Sequence, residues 1–145
     1  MTSNFFKMNR FFNLLLFFVC LIGFSQPKSP SEFLPNYGKQ VTYYHQVEAY
    51  FDQLVKNSDW IKHQKYGETT QERNLNVYYI STPENLKNLE EIRKNHLHEI
   101  GLFPTKNSSK SKTIVWLSFN VHGNEIGAIE SALAVAYELV NPNNK

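Results

Sequence analysis

Thr113-Ile-Val-Trp-Leu-Ser-Phe-Asn-Val121 runs directly into His122-Gly-Asn-Glu125, and Ile126, Ile129, Leu133, Ala136 and Val140 follow at helical spacing. The first stretch is nearly continuous in apolar and β-branched residues, the composition of a strand buried on both faces in the middle of an α/β sheet. The apolar stripe after Glu125 predicts a helix that Asn141-Pro142 terminates. Strand, tight turn and helix make half of a βαβ unit, and ligand sites gather at the carboxyl ends of such strands.

Working backwards, Thr82 is a good N-cap, Pro83 suits the first helical position and Glu84 complements the positive helix end. Leu86, Leu89, Ile92 and Ile100 recur on one face of the predicted helix, and Gly101 stops it. Leu75 to Ile80 has strand composition. Trp60 to Tyr66 reads as extended, with a polar turn region from Gly67 to Asn74. Val47, Tyr50, Phe51, Leu54 and Val55 form one apolar stripe, which predicts a helix ended by Asn57, Ser58 and Asp59. Thr105 to Lys112 reads as a polar loop. An irregular N-terminal arm is expected over 26–42, where Pro27, Pro30 and Pro35 fall close together.

The composition agrees with an ordinary globular chain. Its 145 residues are 41% apolar and 19% charged, with six Gly, six Pro and one Cys, which excludes collagenous, low-complexity and disulfide-scaffold classes. One domain is the most this length supports. With 15 basic against 13 acidic residues and no long basic run, nucleic acid is a poor partner.

Residues 1–25 read as a signal peptide. Lys7 and Arg10 precede an apolar run from Phe11 to Phe24, and Gly23 and Ser25 suit cleavage after Ser25. The run is short for a membrane span, which takes about 20 residues; an N-terminal anchor or a buried core helix is the alternative. Val19 before Cys20 argues against lipidation. Cleavage would leave a cysteine-free mature chain that an oxidising compartment cannot cross-link. A secreted or periplasmic protein with no stable membrane anchor is the expectation.

Zinc takes neutral imidazole and carboxylate ligands, and His-x-x-Glu delivers both from one turn. Gly123 would let the chain turn sharply and leave room beside a metal. Spacing alone is weak, because His45/Glu48 and His96/Glu99 share it. Helical periodicity makes His45 a solvated surface residue and His96 a partly buried packing residue, and His63 and His98 lack a persuasive acid. His122 differs because it closes a strand and opens a helix. From the residues alone it is either a turn histidine bonded to backbone or a metal ligand.

Asn120-Val121-His122-Gly123-Asn124-Glu125, in that strand-to-helix setting, resembles the first zinc motif of the M14 zinc carboxypeptidase family. Tyr50-Phe51-Asp52-Gln53-Leu54, then Tyr66-Gly67-Glu68-Thr69 leading to Arg73 and Leu75, resemble that family's N-terminal region, and Ser81-Thr82-Pro83-Glu84-Asn85-Leu86 with Glu91-Ile92-Arg93 is similar to a segment of secreted bacterial members. The likeness spans roughly Tyr43 to Val140. Where the family often has Gly before the aligned Arg73, Glu72 stands here.

The resemblance implies an α/β fold with a mixed central sheet flanked by helices, incomplete in this chain, with 43–145 as the N-terminal part of the catalytic domain. It implies Zn2+ as cofactor, His122 and Glu125 as two of three protein ligands, and peptide or protein C-termini as substrates whose terminal bond is hydrolysed. By the same pattern the third ligand, the general base and the carboxylate-binding Arg residues lie beyond Lys145. This chain then reads as an N-terminal fragment, inactive alone, whose 113–121 strand lacks neighbours and has exposed ladder edges. An N-acyl amino acid deacylase of the wider family and an inactive fragment or binding protein are the alternatives.

Overall fold

The computed structural model describes residues 26–102, 104 and 111–144. The expected signal segment and most of the 105–112 loop lie outside the described residues. The chain is mixed α/β. Its elements are α1 (Pro30–Phe33), α2 (Tyr44–Asn57), β1 (Ile61–Glu68), β2 (Asn74–Ile80), α3 (Pro83–Lys87), α4 (Leu89–Glu99) and α5 (Gly127–Val140), then a 3-10 turn at Pro142–Asn144. No helix among the described residues is long and apolar enough to cross a membrane.

The stripe that predicts α2 is the stripe it buries. Tyr50 and Leu54 are fully inaccessible and meet Leu133, Ala136 and Val140 of α5, with Leu34 of the arm and Ile61 of β1 completing the core. Aromatic rings extend that core toward the sheet. Phe33 meets Tyr50 edge-on at 5.8 Å, Tyr50 meets Phe51 at 6.3 Å, and Phe51 stacks on Tyr78 at 4.2 Å. Offset and edge-to-face pairs of this kind add to the area they bury.

β1 and β2 form a two-stranded antiparallel hairpin, with Ile61 opposite Ile80 and His63 opposite Tyr78. An irregularity between Lys65 and Gly67 shifts the register there. The connection is tighter than the expected 67–74 region. Thr69 Oγ1 accepts from the backbone N–H groups of Gln71 and Arg73, and Thr69 N–H donates to the Arg73 carbonyl. Glu72 closes this turn with φ 59°. That is the left-handed region, which glycine enters freely and other residues enter at a cost.

The single helix expected after Thr82 is two. Thr82 caps α3 as anticipated, its hydroxyl accepting from Asn85 N–H at 3.3 Å. Asn88 then breaks the path with φ −109° and ψ 24° before α4 begins. Asparagine gives up helical conformation readily because its side chain competes for backbone partners.

The larger correction concerns Thr113 to Val121. No strand forms there, and the segment is exposed rather than buried, with Val115 74% and Trp116 78% accessible. Strand composition is not sufficient for a strand: the ladder must have a neighbour. The only strands among the described residues are β1 and β2, which pair with each other.

Candidate metal centre

Asn120 delivers the chain into the His122–Glu125 turn. Its φ of 57° puts it in the left-handed region, which Asn tolerates better than most residues. Gly123 has no positive φ, and a Cβ there would meet nothing within 4 Å. The sharp backbone turn expected of Gly123 is therefore made at Asn120. The signal was present in the residue type, since Asn is among the few non-glycine residues found in that conformation. Asn120 Oδ1 is buried without a hydrogen-bond partner.

Past Asn120 the backbone coils. Glu125 N–H donates to the His122 carbonyl at 3.1 Å, and Ala128 N–H donates to the Glu125 carbonyl at 3.1 Å, leading into α5. This closure brings the two side chains to one side. His122 Nδ1 lies 2.9 Å from Glu125 Oε1, and the side chains are 70% and 56% exposed. A protonated Nδ1 makes this contact a hydrogen bond. A deprotonated Nδ1 and the carboxylate form instead a convergent N,O pair, close enough for one ion to reach both at about 2.0–2.2 Å. The donor set suits zinc, and its exposure leaves the approach open.

The other histidines take structural roles. His45 stacks on Tyr43 at 6.1 Å, and the Glu48 carboxylate at ligand spacing turns away to accept from the side-chain amides of Asn74 and Asn76. His63 Nε2 contacts Asn76 Oδ1 at 2.8 Å, and its ring stacks on Tyr78 at 5.1 Å. His96 is half-buried on α4, and Glu99 accepts from Ser111. That hydrogen bonding, followed by the nearby charges of His96 and His98, holds the Glu99 carboxyl below its ordinary pKa. No group of three or more His, Cys, Asp or Glu residues able to hold a metal exists among the described residues. His122 and Glu125 thus present two donor atoms with no third His, Cys, Asp or Glu grouped with them among the described residues.

A residue without a motif signal fixes the helix behind this turn. Glu130, in the first turn of α5, accepts from Thr42 through Oε1 and from the Tyr37 hydroxyl through its backbone carbonyl.

The zinc carboxypeptidase family model matches residues 47–145, and the chain belongs to that family. No curated protein and no solved structure matches it.

Proposed function

From membership of the zinc carboxypeptidase family, we propose that this chain carries the first zinc motif of a metallocarboxypeptidase acting on peptide or protein C-termini. His122 and Glu125 are its two ligands. The observation that carries the assignment is the 2.9 Å convergence of His122 Nδ1 and Glu125 Oε1 on an exposed turn inside the family-matched region.

Zinc held by His122 and Glu125 would supply Lewis-acid polarisation of a scissile carbonyl and activation of water. The chain's own part is to present the two donors. Asn120 sets the backbone direction, the His122–Glu125 hydrogen bond closes the turn, and α5 supports it from the carboxyl side. Glu125 stands just before the amino end of α5, where the helix dipole favours negative charge.

We place the third ligand, the general base and the substrate-carboxylate Arg residues in sequence beyond Lys145, so that this chain alone does not turn over. Lys7, Arg10 and the apolar run ending near Ser25 support export to the periplasm or beyond. The test is hydrolysis by the protein extended past Lys145. A peptide with a free C-terminus should be cleaved and its C-terminally amidated counterpart spared, with His122→Ala inactive. Activity on N-acyl amino acids instead would establish the deacylase reading.

A further inference from the structure

The arm before α2 precedes the family-matched region, which starts at residue 47, yet it is bonded to both long helices. On α2, Gln53 brackets Lys28, accepting from its N–H at 3.1 Å and donating to its carbonyl at 3.0 Å, and the Tyr50 hydroxyl donates to the same carbonyl at 3.1 Å. On α5, the arm's hydrogen bonds converge on Glu130. Thr42 donates to Oε1 through its hydroxyl at 2.6 Å and its backbone N–H at 3.2 Å, while the Tyr37 hydroxyl donates to the Glu130 carbonyl at 3.0 Å. Thr42 is 4% exposed, and Leu34 of the arm lies in the core. Water therefore competes poorly for these bonds.

The His122–Glu125 turn has no such support of its own. Residues 121–127 are all exposed, and the turn's hydrogen bonds run within itself and onto the start of α5. Its position is inherited from the first turn of α5, where Glu130 is the residue that reaches across to the arm. We propose that the arm is a strap that positions the His122–Glu125 turn through Glu130, a positioning residue. Only the functional consequence rests on the metal reading; the strap is tested without metal.

The measurement is backbone 15N relaxation on the full chain, comparing wild type with Glu130→Ala, Glu130→Gln and Thr42→Val. In wild type, Gly123 to Ile126 should have order parameters of about 0.85, falling to about 0.6 or below in Glu130→Ala. Glu130→Gln should restore rigidity, because its amide oxygen can still accept from Thr42. Thr42→Val, which leaves α5 intact, should loosen the same turn by a smaller amount and decides the matter if Glu130→Ala unfolds. A turn already mobile in wild type, unchanged in Thr42→Val, or not restored by glutamine would overturn the strap. None of these results bears on whether His122 and Glu125 bind zinc, which metal titration tests separately.

Discussion

The ring of Phe51 lies on that of Tyr78, with centroids 4.2 Å apart and planes inclined by 23°. This contact joins α2 to the β1–β2 hairpin, whose buried core residue is Ile61. A double-mutant cycle of Phe51→Leu and Tyr78→Leu should give a coupling of about 0.5–1.5 kcal/mol, read from urea unfolding. A coupling near zero would mean that the hairpin is held by β1 alone.

Tyr50 and Tyr78 should be the last tyrosines to ionise. Burial, the main cause, raises both well above the ordinary 10.0, reinforced at Tyr50 by Tyr137 and Tyr37 and at Tyr78 by Asp52 and Glu48. The folded state then holds its phenolic protons where the unfolded chain has released them. The associated stability is full below pH 10 and falls as pH rises above it. Absorbance at 295 nm should show late ionisation coinciding with unfolding, and Tyr50→Phe and Tyr78→Phe should each reduce that late step.

Glu72→Gly should stabilise the chain by about 0.5–1 kcal/mol, the left-handed cost less the entropy glycine adds to the unfolded state. Thermal unfolding checks this, with Glu72→Ala as the control that keeps the Cβ. Stabilisation by alanine would assign the effect to the side chain instead of the backbone.

Helices α2 and α5 were legible because each apolar stripe coincides with the face that is buried, Tyr50 and Leu54 in one, Leu133, Ala136 and Val140 in the other, whereas β1 and β2 were legible as extended segments and not as a pair. Periodicity carries no information about partners. Thr113 to Val121 has the composition of a central strand, but composition cannot supply the neighbour that a ladder needs. Thr42 and Glu130 lie 88 positions apart, so no local pattern announces their bond. Asn88 and Asn120 are different: their residue type permits the break and the left-handed turn, but many other asparagines carry the same permission. The His122–Glu125 pair was legible as a spacing, and its convergence only as geometry.

The uncharged run from Thr113 to Val121, free of Pro and Gly, should make the chain self-associate. Exposed apolar segments of high β-propensity behave this way. Sedimentation should show association rising with concentration, and Trp116→Lys should reduce it. A wild-type chain that stays monomeric at high concentration would contradict this.

The most direct test of the metal assignment is zinc titration of the chain by competition with a chromophoric chelator, for wild type, His122→Ala and Glu125→Gln. Wild type should bind one zinc weakly, as suits two protein donors, and both variants should lose that binding. Equal binding by wild type and His122→Ala would contradict the assignment.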